Sequence, residues 1–424
     1  MNKHFCSAPW IGTTFETTES FKPCCYIDNS KLNIKASSFE EYYNSTGIKN
    51  LRKQFINGEK PDMCRRCWLS ESNDESVVDS MRKRMNIQAK TDKLMDKIFE
   101  LTNEEGEVSK SIVSWADLQF SNKCNYSCII CSPYRSRSIE KKYLKEYRIL
   151  SGDIKKIDLE NDNESKILNW LETEGYKTIK LLVINGGEPF LQDGFYKMLD
   201  IFMKKGADKD CVLSLSTNGS ISKSPEGKDV INDYLKKWNN TVKLQMSIDH
   251  HGKKGEFLRP GYSDEVWLSN YNKFSREKNI SIRTSIALSL LNTPTIHQLF
   301  EMFSNKLLPE TINYTHLVHS PESISFGQIQ LEKNLLDTSI KSLDESIRIM
   351  QSFSPKNVGL IESAKDVLVK NFKGNKFYLP YFREGIRAIE VRKDLNFLDI
   401  FPEHKQFWEL SLQSGAYPRP NLLN

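Results

Sequence analysis

The residues most able to do chemistry are thiols. Nine cysteines occur in 424 residues; eight lie in the first third and only Cys211 lies beyond. Clustered thiols in a reducing compartment point to metal rather than to disulfides. In Cys124-Asn-Tyr-Ser-Cys128-Ile-Ile-Cys131, three thiols stand with three and then two residues between them. Such a loop can wrap three corners of a cubic iron–sulfur cluster and leave the fourth iron without a protein ligand. A structural zinc site would want a fourth Cys or His, and none closely follows Cys131. An open metal position is where a substrate or cofactor binds. A second set comprises Cys6, the pair Cys24-Cys25, and Cys64-Arg-Arg-Cys67. Consecutive residues of an extended segment point to opposite sides, so one metal centre takes Cys24 or Cys25 but not both. Iron–sulfur and zinc are both open readings of this set.

These thiols need elements to position them. Short β-branched, apolar runs occur at 112–120, 178–184, 211–216, 242–248, 280–290 and 312–318. Between them lie segments with helical spacing, as in Phe195–Met203, Val230–Trp238 and, less regularly, Glu265–Phe274. Alternating strand and helix predicts an α/β fold with a parallel sheet. Six units are too few for a closed eight-fold barrel, so a partial (β/α)6 TIM-like barrel is expected. In such folds the chemistry sits on loops after the carboxyl ends of the strands. The residues found there are Asn122-Lys-Cys124, Asn185-Gly-Gly-Glu188-Pro189, Ser216-Thr-Asn218-Gly219, Ser247-Ile-Asp249, Asn292 and His319. Metal ligands, carboxylates and amides thus share one rim. The expected organisation is a cysteine-bearing module over 1–90, a helical linker over 91–111, the barrel over 112–325, and a helical extension over 326–424 that includes Leu336–Met350 and Ile361–Phe372.

Composition sets the outer bounds. Apolar residues make up 38% and charged residues 27%, enough for a sizeable core. Mean hydropathy is -0.53, and no run approaches the ~18 apolar residues of a membrane helix. Met1-Asn-Lys-His-Phe-Cys6 contains no apolar signal segment, so a soluble, cytoplasmic protein without a membrane partner is expected. The net charge of +5 is mild and mixed in sign. It reads as solvated surface, and nucleic acid is not expected as a partner.

The cysteine loop, placed after the first strand of a partial barrel, resembles the signature of the radical S-adenosylmethionine (radical SAM) superfamily. Gly186-Gly187-Glu188-Pro189 is similar to the family's motif for the methionine amine, and Ser216, Asn218, Ser247 and Asp249 occupy strand ends where the family contacts ribose hydroxyls and carboxylate. Ile130 departs from the aromatic residue that many members carry beside the adenine. The resemblance implies a [4Fe-4S] cluster on Cys124, Cys128 and Cys131 whose open iron chelates S-adenosylmethionine. One-electron cleavage then yields a 5′-deoxyadenosyl radical that takes a hydrogen atom from substrate. The amino-terminal cysteines resemble the twitch module, half of the larger SPASM module: a first cysteine, a hairpin ending in Pro23-Cys24, a helical stretch with Tyr42, Tyr43 and Leu51-Arg52, then Cys64-x-x-Cys67. The resemblance implies a second, auxiliary [4Fe-4S] cluster on Cys6, Cys24, Cys64 and Cys67. In many relatives this module follows the barrel; here it precedes it.

The class implied is an oxidoreductase or modifying enzyme. Its substrate is expected to be a peptide or protein, with a small metabolite such as a nucleoside or sugar as the alternative. An electron donor of the flavodoxin or ferredoxin type is implied. A reading of another class is a non-catalytic metal-cluster protein that binds nucleic acid. Other residues have plainer expectations. Cys211 opens a core strand, His250-His251 precede Gly-Lys-Lys-Gly and are expected in solvent, and Tyr378–Phe382 is expected to pack. His316 and His319 are expected to face opposite sides, with His319 the one able to reach a ligand, and Arg259 could bind a carboxylate as a fork. No catalytic residue is assigned from the sequence.

Overall fold

A computed structural model describes residues 2–16, 21–32, 34, 36, 38–72, 80–152, 163–306, 312–370 and 374–418. Seven parallel strands form one sheet in sequential order: β1 (Gly12–Phe15), β2 (Trp115–Leu118), β3 (Leu181–Ile184), β4 (Val212–Thr217), β5 (Val242–Ser247), β6 (Ile280–Leu288) and β7 (Ile312–Leu317). With helices between successive strands and β1 and β7 left as edges, this is an open partial barrel. Strands β2 to β7 match the six predicted runs, β4 passing the end of its run by one residue, Thr217.

The seventh strand corrects the count of six. β1 pairs in parallel with β2, Gly12 against Trp115 and Phe15 against Leu118, so the cysteine-bearing segment shares the barrel's sheet. Four residues are too few to show a period of two, and all four are buried, so no alternation marks the strand. Thr14 then bridges Lys22 in antiparallel fashion, which is the hairpin expected before Pro23-Cys24; residues 17–20 lie outside the described set.

Period two does govern the other strands. In β4, Leu213 and Leu215 are 0% exposed under the helices, while Val212, Ser214 and Ser216 face inward and are half-buried. β5 alternates likewise, with Lys243, Gln245 and Ser247 inward. The helix Asp193–Lys205 covers the outer face with Phe195, Met198, Leu199 and Phe202, and stops at Gly206, whose φ of +69° ends it. Cys211 is a fully buried thiol, as expected. Arg52 is fully buried in the amino-terminal zone. It donates to Pro9 O twice and to Gly106 O and lies 4.4 Å from the Tyr43 ring centre, so it binds that zone to the chain leading into β2.

The carboxy-terminal zone is helical. Lys333–Phe353 packs on His297–Asn305, Val358–Lys370 on β7, and Leu379–Lys393 on Leu144–Ser151. Residues 371–373, the end of one predicted helix, lie outside the described set. The stretch 378–382 packs, with Leu379 to Phe382 buried. No described helix is long and apolar enough to cross a membrane.

Candidate active site

The cysteine loop follows β2 and is held from two sides. Ser127 N–H donates to Pro260 O and Ile129 N–H to Leu258 O; Cys131 N–H donates to Cys128 O and closes the turn. From β3, Gly187 N–H donates to Arg135 O and Glu188 N–H to Lys123 O. Both glycines have positive φ, +73° for Gly186 and +58° for Gly187. A Cβ on Gly187 would stand 2.5 Å from Lys123 O. Close packing of this turn on the cysteine loop therefore requires glycine.

Cys124, Cys128 and Cys131 line a cavity at the carboxyl ends of the strands, together with Gly186, Gly187, Ser216, Asn218, Ser247 and Arg259. The empty space between its atoms, including the solvent at its open mouth, is about 1110 Å³. Burial pushes all three thiols up, Cys128 to about 12. Thiols that resist ionisation alone in such a setting become thiolates when a metal binds them.

Two predicted cofactor-binding residues stand elsewhere. Glu188 is 0% exposed and does not line the cavity: Thr217 Oγ1 donates to one carboxylate oxygen at 2.7 Å and Asn218 N–H to the other at 2.8 Å. Burial raises it to about 7, against those hydrogen bonds. Its carboxylate locks the β3 turn to the end of β4. Asp249 is likewise spent inside the protein. One oxygen takes Arg259 Nε at 2.7 Å and the other takes Ala287 N–H at 2.8 Å. Arg259, not Asp249, reaches the cavity, and its Nη1 lies 3.8 Å from Cys128 Sγ.

Asn218 contacts the loop directly, donating to Asn125 Oδ1 at 2.9 Å with Cys124 Sγ 4.0 Å away. Ser216 Oγ donates to Asn185 Oδ1, and Asn185 Nδ2 donates to Asp117 Oδ1, so a polar chain crosses β4, β3 and β2 on the inner face. Burial lifts Asp117 to about 6, opposed by Asn185 and Arg135. Asn185 is placed at a strand end by the sequence; Asp117 and Arg135 are not singled out there. Asp117 was legible as an acid inside an apolar run.

The four other thiols surround a second space. Cys6, Cys24, Cys64 and Cys67 line it with apolar neighbours such as Ile27, Leu51, Phe55 and Met81, and its empty volume is about 380 Å³. Cys25 is absent from this lining. It stands half-buried on the other side, pushed up to about 12 by burial and by Asp117, with Lys22 and Arg135 opposing. Among the described residues, no three His, Cys, Asp or Glu side chains are set to hold a single metal ion.

The histidines differ from expectation. His250 is buried, not in solvent, with Nε2 3.2 Å from both Thr295 O and Thr295 Oγ1. Lys254 reaches the same Thr295 and pairs with Glu403 at 2.7 Å, so the carboxy-terminal zone seals this loop away from water. His316, paired in register with Ala287, faces the lumen; burial and Arg84 lower it to about 4, while Asp249 raises it. Burial and Arg66 lower His319.

No family model and no curated protein matches the chain. Similar solved structures include anSMEcpe with bound AdoMet, at 14% identity and a TM-score of 0.34 over 56% of this chain and 62% of that one. Another is SuiB of Streptococcus suis bound to the precursor peptide SuiA, at 13% identity and a TM-score of 0.32 over 61% of this chain and 50% of that one. A third is TYW1 with a lysine-pyruvate adduct bound, at 18% and 0.28 over 55% and 71%. The chain thus spans less than two thirds of the first two.

Proposed function

We propose that this chain is a radical SAM enzyme, with Cys124, Cys128 and Cys131 as ligands of the active-site [4Fe-4S] cluster. One observation carries the reading: the three thiols open onto a large cavity at the carboxyl ends of the strands, shared with the glycine turn and with Ser216, Asn218 and Ser247. A three-thiol loop beside that much space leaves room for a chelating cofactor. The cluster, when bound, supplies the electron that cleaves S-adenosylmethionine to 5′-deoxyadenosine through its radical. The protein's part is to position and exclude. Backbone groups of Gly186 and Gly187 offer the methionine amine its partners, while Ser216, Asn218 and Ser247 stand at the ribose end. Arg259, held by Asp249, presents its remaining N–H donors to the cavity beside Cys128.

Cys6, Cys24, Cys64 and Cys67 are proposed to hold a second [4Fe-4S] cluster. With four thiols and an apolar lining, that cluster is suited to pass electrons rather than to bind substrate. We favour a peptide or protein substrate, modified oxidatively, and a flavodoxin- or ferredoxin-type donor in the cytoplasm. The proposed domain plan keeps 1–90 as the auxiliary module, 91–111 as linker, 112–325 as barrel and 326–424 as extension, with β1 inserted from the module into the sheet.

The test is anaerobic. The protein is reconstituted with iron and sulfide, reduced, given S-adenosylmethionine, and assayed for 5′-deoxyadenosine by mass spectrometry beside Cys124→Ala. Formation in the parent and none in the variant supports the proposal. A fully iron-loaded parent that neither forms the product nor changes its electron paramagnetic resonance on adding S-adenosylmethionine overturns it.

A further inference from the structure

Ser216 and Ser247 line the cavity, which identifies the inner face of β4 and β5. Alternation then places Lys243 and Gln245 on that face. Parallel register carries the same face to β6: Lys243 lies beside Ser281, Gln245 beside Arg283 and Ser247 beside Ser285. The outward residues agree, since Leu244, Met246, Thr284 and Ile286 are all 0% exposed beneath the helices. Two cations, Lys243 and Arg283, therefore project into the lumen from adjacent strands, displaced by two residues. In that relation their Cβ atoms are roughly 7–8 Å apart, within range for both heads to meet one anion.

Among the described residues, Lys243 and Arg283 make no ion pair and no side-chain hydrogen bond. Lys243 is half-buried and Arg283 is exposed. Burial and the neighbouring Arg283 lower Lys243, with no carboxylate to offset them. Like charges side by side across strands are destabilising. The acid of the lumen, Asp117, is engaged by Asn185 on the far strands.

We infer that Lys243 and Arg283 form an anion subsite inside the barrel that takes a carboxylate of the substrate. Lys243 lies four residues below Ser247, roughly 13 Å along the strand. That depth separates the subsite from the thiols, so the anion it takes is the substrate's and not the cofactor's. This rests on the proposed function, in which a substrate gives up a hydrogen atom at the cavity, and adds that part of that substrate extends down the inner face of the sheet. A peptide with an acidic side chain or a terminal carboxylate a few residues from the reacting atom would span the two.

The test measures binding apart from catalysis. Glutarate and its neutral analogue glutaramide are titrated calorimetrically into the anaerobically reconstituted full chain and into Lys243→Gln and Arg283→Gln, at low and high salt. Glutarate should bind the parent and glutaramide should not. Each variant should weaken glutarate about tenfold or more, with S-adenosylmethionine binding unchanged and a melting temperature equal to or above the parent's. Equal affinity for glutarate in parent and variants, equal binding of the two probes, or no glutarate binding at all would overturn the subsite. Arg283-dependent glutarate binding in a protein that does not cleave S-adenosylmethionine would leave the subsite standing and remove the functional reading.

Discussion

Adjacent residues divide the work of the thiols. Cys24 turns into the apolar space with Cys6, Cys64 and Cys67, and Cys25 turns toward Asp117 and Lys22. Cys24→Ser should therefore lose the second cluster and about half of the iron. Cys25→Ser should keep both, as measured by iron and sulfide content with Mössbauer spectra. Iron loss from Cys25→Ser alone would reverse the assignment. The Asp249–Arg259 pair lends itself to a similar test. It is buried, and it is the means by which Arg259 stands against Cys128. Asp249→Asn leaves a buried guanidinium without its counter-charge and should cost about 3–5 kcal/mol. Asp249→Asn combined with Arg259→Gln should cost less than the sum of the two single changes, checked by urea unfolding of all four proteins.

Elements decide whether such residues meet. The glycine turn after β3 and the cysteine loop after β2 are one unit, joined by Gly187 N–H to Arg135 O and Glu188 N–H to Lys123 O. Gly187→Ala places a Cβ against Lys123 O at a backbone conformation that L residues avoid. A cost of about 2–4 kcal/mol follows from strain and overpacking. The displaced loop should lose the first cluster while the second remains, so iron should fall by half and the second cluster's spectrum should persist. Retention of both clusters would show that the loop tolerates a movement the geometry does not allow.

At the scale of the molecule, the carboxy-terminal zone clamps the barrel. Glu403 pairs with Lys254, Lys254 reaches Thr295, and Thr295 packs on His250. Burial and the nearby Lys254 and His251 lower His250 to about 3. A histidine lowered from its ordinary value near 6.5 binds fewer protons folded than unfolded. Its neutral form stabilises fully above about pH 6.5, and that contribution is lost as pH falls toward 3. The loss should amount to a few kcal/mol, read as a falling urea midpoint through that window. His250→Gln should flatten the fall. A parallel fall in the variant would assign the acid sensitivity to other groups.

The sequence alone determined the chemistry that is local in the chain: the three-thiol loop, the glycine turn, and six strands whose length or apolar runs announce a parallel sheet. Tertiary structure decided what depends on direction and enclosure. The short strand Gly12–Phe15 has no alternation of its own and becomes a strand only beside Trp115–Leu118. Glu188 and Asp249 read as ligand groups because they are acids at strand ends, yet folding supplies each with internal donors before any ligand arrives. His250 looked exposed beside Gly-Lys-Lys-Gly, and only a segment some 150 residues later, around Glu403, buries it. Lys243 and Arg283 carry no signal in the sequence, because nothing local says which face of a strand will enclose a lumen. Side-chain direction follows from register, and register is a property of strands that meet only in the folded chain.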